Sequence, residues 1–121
     1  MIYDNSNVFA KILRNELPCN KIYESEYSLA FYDISPQATI HALVITKCAY
    51  VSFADFSARA SEAEIVGYIR DIGEVARLLG VEADGYRLIA NHGANANQEV
   101  PHLHVHIFAG QKLGSLLSPS Q

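Results

Sequence analysis

The stretch VPHLHVHIFAG, residues 100–110, carries three of the chain's five histidines at i, i+2 and i+4. An extended strand turns successive side chains to opposite faces. His102, His104 and His106 therefore share one face, and Leu103, Val105 and Ile107 the other. A metal site is the first chemistry such a row suggests. Neighbouring rings lie ~6.6 Å apart along a strand and the outer two ~13 Å. Zinc–nitrogen bonds are only ~2.0–2.1 Å, so all three rings meet one ion only if the strand bends sharply. No thiolate or carboxylate stands at ligand spacing nearby. Covalent chemistry fits better. A neutral imidazole can attack an electrophile while its neighbours donate hydrogen bonds to it. Phosphorus is a suitable electrophile, because its oxygens accept several donors at once. The loop entering this strand, NHGANANQEV, is rich in Asn and Gly. Both tolerate left-handed backbone and so let a loop aim N–H groups at a phosphate. The plain alternative is a strand whose polar face happens to be rich in histidine.

The elements that must position this row are legible around it. Val8, Phe9, Ile12 and Leu13 make one helical face between Asn7 and about Glu16, with Ser6 or Asn7 as cap and Leu17-Pro18 as stop. Residues 21–25 and 28–34 read as two strands around a turn at Glu26-Tyr27, and residues 41–46 as a third. Ser61 and Glu64 form a capping box. Ile65, Ile69, Ile72, Ala76 and Leu79 follow as one helical stripe, with Gly80 as a left-handed end. Residues 86–90 and 100–108 supply two more strands. The order α-β-β-β-α-β-β gives an α+β sandwich with one long helix on one face and a short N-terminal helix.

Composition narrows the function classes. A chain of 121 residues fits one domain, residues 1–121, with a proper core. Half of it is hydrophobic and the formal net charge is −4, so no basic surface points to nucleic acid. The sequence shows no secretory leader and no membrane-spanning run, which suggests a cytoplasmic protein with no membrane partner. Cys19 and Cys48 lack CxxC spacing and read as small hydrophobes.

HLHVHIF resembles the motif of the histidine triad (HIT) superfamily of nucleotide hydrolases and transferases. Around it, VFAKILRNELP, AFYDISPQA, HALVITK, YRLIAN and NQEVPHLHVHIFAG resemble the Hint branch in order along nearly the whole chain. The resemblance implies an α+β fold with a five-stranded antiparallel sheet. It also implies a homodimer whose two sheets join, and a pocket for a purine nucleotide such as AMP or GMP, with no cofactor. His104 matches the family nucleophile, His102 a position near the leaving group, His106 a phosphate-oxygen donor and His41 a fourth active-site histidine. Asp33 matches a ribose-binding carboxylate and is also readable as a cap on the Ser35-Pro36-Gln37 turn. Phe31, Ile34, Phe9, Val8 and Leu43 match positions around the base, and each is also readable as plain core. Asn91 and Gln98 match phosphate-side positions, with Glu99 beside them.

The chain also departs from that family. Asn97 stands where glycine is usual, Glu99 where some relatives have serine, and Gln111 where a basic residue is common. Some bacterial relatives hold zinc on a Cys-x-x-Cys; those positions are Asn7 and Ala10 here, so no metal is expected. His92 has no assigned role. The resemblance implies hydrolysis of purine nucleoside 5′-monophosphoramidates through a nucleotidyl-histidine. The alternatives are a dinucleoside polyphosphate hydrolase, as in the Fhit branch, and a nucleotide-binding protein with weak catalysis.

Overall fold

In the computed structural model, which describes residues 2–117, Asn7 opens the first helix. Its side-chain oxygen accepts the N–H groups of Phe9 and Ala10, two of the donors a helix start leaves free. Helix α1 (Val8–Leu13) is shorter than its apolar pattern suggests. Asn15, not Pro18, ends it by entering left-handed backbone at φ 63°. The N–H of Asn15 then returns to Ile12 and that of Glu16 to Lys11, satisfying two orphan carbonyls.

Strands β1 (Lys21–Glu24) and β2 (Ser28–Tyr32) turn at Ser25, whose hydroxyl oxygen accepts the N–H groups of Tyr27 and Ser28. Strand β3 (Ile40–Thr46) continues the antiparallel meander. Helix α2 (Phe53–Arg59) is absent from the sequence expectation. Its signal was present: Ser52-x-x-Asp55 is spaced like Ser61-x-x-Glu64, and Ser52 accepts the N–H of Asp55. Helix α3 (Glu62–Leu78) has its full capping box and ends at Gly80, φ 71°. There the N–H groups of Gly80 and Val81 bond Arg77 and Ala76. Its buried stripe is centred on Tyr68, Ile72, Val75 and Ala76. Ile69, expected in that stripe, is 57% exposed. Tyr68 takes the inward position because its ring packs on the sheet while its hydroxyl donates to the Val44 carbonyl. Cys48, read from the sequence as a small hydrophobe, is exposed, and Cys19 is half-buried.

Strands β4 (Arg87–Ile89) and β5 (His104–Ala109) complete a five-stranded antiparallel sheet of order β1-β2-β3-β5-β4. The register sets Ile45 opposite His104, Leu43 opposite His106 and Phe31 opposite Leu43. Strand alternation then divides the core. Ala30, Ala42, Val44, Leu103, Val105 and Ile107 pack with Tyr68, Ile72 and Val75 of α3. Leu29, Phe31, Leu43 and Ile45 pack with Phe9 and Ile12 of α1 on the other face, the face that carries His104 and His106. One correction concerns that row. Strand β5 begins at His104, not at residue 100, and Pro101 and His102 lie in a bend before it. No helix among the described residues is long and apolar enough to cross a membrane.

Candidate active site

His104 is the first residue of the row on strand β5, and its orientation follows from one backbone group. Its Nδ1 lies 2.7 Å from the carbonyl oxygen of His102. A carbonyl only accepts, so Nδ1 carries the proton and the neutral ring keeps its lone pair on Nε2. Nε2 has no protein partner among the described residues and remains reachable by solvent. Burial pushes the pKa of His104 down, and the His102 carbonyl, Asp33 and Glu99 oppose that shift. The ring is therefore neutral at pH 7, with an available lone pair. The Phe9 ring packs edge-on against it, 4.9 Å between centroids.

His106 is set the opposite way. The N–H of Gln37 donates to Nδ1 of His41 at 3.1 Å. Nδ1 of His41 is thus an acceptor, and its proton sits on Nε2. That Nε2–H donates to Nδ1 of His106 at 2.9 Å, so His106 carries its proton on Nε2. Burial first, then the neighbouring His104 and His41, pushes His106 down to about 4. His41 is also lowered by burial, partly offset by Asp33. With His41 neutral, the 3.4 Å approach of its Nε2 to Asp33 Oδ2 is a secondary contact of the same N–H rather than an ion pair.

His104 and His106 line a cavity of about 730 Å³. The structure brings His104, His106, Asp33, Asn91 and Glu99 to it, together with Phe31, Ile34, Phe9, Val8 and Leu43. Phe9, Phe31 and Leu43 belong both to the core and to this wall, whereas Val8 and Ile34 stand at the open side, Ile34 at 96% exposure. Asp33 takes the turn-capping position and also lines the cavity. Its Oδ1 accepts the Ser35 N–H at 2.8 Å. His41 lies behind His106 and acts through it.

Besides His41, two further expected site residues, His102 and Gln98, do not line the cavity. His102 is 0% exposed, and both ring nitrogens are occupied. Nε2–H donates to the Thr46 carbonyl at 2.8 Å, and Nδ1 accepts from the Tyr3 hydroxyl. No free nitrogen is left for a leaving group. Gln98 is also used up internally. It accepts from Gly93 N–H and donates to the carbonyls of Val51 and Val100, which ties the loop to the body. Asp33, His41 and His106 each place one possible metal-ligand atom within 4.8 Å of the others. The Gln37 N–H makes that set a poor cation site, because it keeps the His41 proton on the nitrogen a metal would need.

Comparison with known proteins decides the family. Residues 14–113 match the HIT domain. The chain belongs to the HIT family. It is 60% identical over 116 residues to an uncharacterised 13.2 kDa HIT-like protein of Azospirillum brasilense, covering 96% of this chain and 95% of that one. It is 38% identical over 111 residues to the purine nucleoside phosphoramidase of Escherichia coli, covering 92% of each chain. Among solved structures, a HIT family hydrolase from Clostridium thermocellum superposes with a TM-score of 0.85 at 36% identity, covering 94% of this chain and 99% of that one.

Within this HIT domain the departures acquire physical content. Asn97 adopts φ 56°, ψ 48°, so it holds the left-handed conformation for which glycine is freer. Glu99 lines the cavity, and its Oε1 accepts weakly from Asn97 Nδ2 at 3.4 Å. Gln111 accepts from both the N–H and the hydroxyl of Thr39, tying the end of β5 to the segment before β3. Sequence reasoning missed Gln37, Thr46 and Tyr3. The first two act through backbone groups, which no residue type announces. Tyr3 acts across 99 residues of sequence.

Proposed function

We propose that this HIT-family hydrolase fold cleaves purine nucleoside 5′-monophosphoramidates through a nucleotidyl-histidine intermediate on His104. The observation that carries the proposal is the His104 ring itself: proton on Nδ1, lone pair on an unpartnered Nε2 at the cavity. The Nε2 lone pair forms a bond to the α-phosphorus as the P–N bond breaks, and the departing nitrogen takes a proton from water at the open mouth. Water then attacks the nucleotidyl-histidine and releases the nucleoside monophosphate. Splitting one displacement into two lowers each barrier. His106 Nε2–H donates to a phosphate oxygen, and His41 holds that tautomer. The apolar wall of Phe9, Phe31 and Leu43 takes the base, with Val8 and Ile34 at its rim. Asp33 Oδ2 accepts from the ribose diol, and Asn91 stands on the phosphate side.

The phosphoramidase name of the Escherichia coli relative supports this choice, and so does charge. Among the described residues no lysine or arginine lines the cavity, whereas Asp33 and Glu99 do. Such a lining disfavours the several negative charges of a dinucleoside polyphosphate. The proposal includes AMP or GMP as product, one HIT domain over residues 1–121, a homodimer and a cytoplasmic location. Steady-state kinetics on adenosine and guanosine phosphoramidates and diadenosine polyphosphates test it, with His104→Ala as control. Faster cleavage of the polyphosphates, or wild-type rates in His104→Ala, refutes it. Size-exclusion chromatography with light scattering tests the dimer.

A further inference from the structure

His104 owes its tautomer to the carbonyl of His102, yet His102 lies outside the strand ladder. Strand β5 does not begin until His104, so inter-strand bonds do not aim that carbonyl. Its immediate backbone anchors are the His102 N–H to Val100 and the Leu103 N–H to Tyr50. The rest of the constraint comes from the His102 ring. That ring is clamped at both nitrogens, by the Thr46 carbonyl on one side and the Tyr3 hydroxyl on the other.

Tyr3 is held where it must be. Asp4 accepts from Ser6 and Asn7, and the Asn5 carbonyl accepts from Arg14 at the end of α1. The segment before α1 is thus strapped to the helix it precedes. From there the Tyr3 ring packs edge-on against His102, 5.5 Å between centroids. The hydroxyl meets a buried lone pair that no other described residue serves. Leaving such a group without a partner is costly, so the ring has reason to shift or change tautomer when the hydroxyl is lost.

We infer that Tyr3 is a positioning residue for the nucleophile: its hydroxyl locks the His102 ring, the ring fixes the His102 carbonyl, and that carbonyl holds the proton on His104 Nδ1. Tyr3 itself does not line the cavity. Its effect on rate rests on the phosphoramidase reading, whereas its effect on the rings does not.

The test is Tyr3→Phe, which keeps the ring packing and removes the hydroxyl. For phosphoramidate turnover, kcat falls about tenfold while KM changes less than about twofold, the pattern of a misaligned reacting group with intact substrate binding. Nitrogen-15 chemical shifts of the histidine rings give the second readout. In the wild type, His102 shows a single tautomer protonated at Nε2 and His104 one protonated at Nδ1. In Tyr3→Phe both become mixtures. Unchanged His104 shifts overturn the inference, whatever the rates. A wild-type enzyme that cleaves no phosphoramidate refutes the proposed function instead, and the ring shifts still decide the role of Tyr3.

Discussion

The two ends of the histidine cluster use the same side chain for opposite purposes. At one end His104 meets a carbonyl at Nδ1 and presents a lone pair on Nε2. At the other His106 meets a donor at Nδ1, because His41 has its own Nδ1 capped by the Gln37 N–H, and so presents an N–H on Nε2. Both rings stand on one face of β5, and their centroids lie 5.0 Å apart. Nothing in the residue type distinguishes a free lone pair from a free N–H. The difference is the backbone group that each ring, or its neighbour, touches. A carbonyl two residues earlier leaves a lone pair on Nε2 of one ring, and an amide one histidine removed leaves an N–H on Nε2 of the other.

The largest expected effect breaks the comparison at its centre. On the proposed mechanism, His104→Ala removes the bond-forming atom and lowers kcat by more than about 10³-fold, while AMP still binds. His106→Ala removes a donor to the transition state and costs about 10²-fold. Pre-steady-state trapping of a nucleotidyl adduct checks the distinction. The adduct is absent in His104→Ala and still forms, slowly, in His106→Ala. Equal losses in the two variants erase the asymmetry.

Acid tests the neutrality that both ends share. Burial holds His102 and His106 down at about 4 and lowers His41 and His104. An unfolded histidine titrates near ~6.5. Between those values the unfolded chain binds protons that the folded chain refuses, so acid favours unfolding. This contribution is complete above about pH 6.5, is lost as pH falls toward about 4, and then levels off. For the fully buried His102 alone the loss is roughly 3 kcal/mol. Urea unfolding at pH 7.5 and pH 5 reads it, and equal midpoint stabilities refute it.

That burial also explains what the sequence could and could not reveal. The period-two spacing of residues 102–106 was enough to put Leu103, Val105 and Ile107 under α3, as the core confirms. The capping box at Ser61 was legible because it is local. Helix α2 carried a similar local signal at Ser52 and Asp55, but seven residues give too little apolar period to notice. The start of β5 is hidden in the sequence because alternation continues through Pro101 and His102 although the ladder does not. The consequence is chemical. His102 lies outside the cavity, its ring held by Thr46 and Tyr3 through contacts between distant parts of the chain. Spacing reports which face a side chain takes, and it is silent on which atom carries the proton.

A smaller effect sharpens the donor end. His41 acts through His106, so His41→Ala lowers kcat by at most the ~10²-fold of His106→Ala. The double variant is then no slower than His106→Ala alone, because the two residues share one path. Additive losses in steady-state kcat place a separate function on His41.

The smallest effect belongs to Glu99, which faces the cavity and raises the pKa of His104 against the stronger pull of burial. Glu99→Gln removes that support, so the His104 pKa falls further and the acid limb of the kcat/KM profile moves to lower pH. The direction follows from charge: a carboxylate stabilises the imidazolium, and its amide does not. Because Glu99 is solvent-exposed, its influence is under ~1 kcal/mol, less than about fivefold in any rate constant. An acid limb that moves upward in Glu99→Gln, or one that stays fixed at low salt, removes Glu99 from the electrostatics of the nucleophile. His106 provides the internal contrast. Burial, His104, His41 and Asp33 set its pKa without Glu99, so ring shifts of His106 stay put across the substitution while those of His104 move.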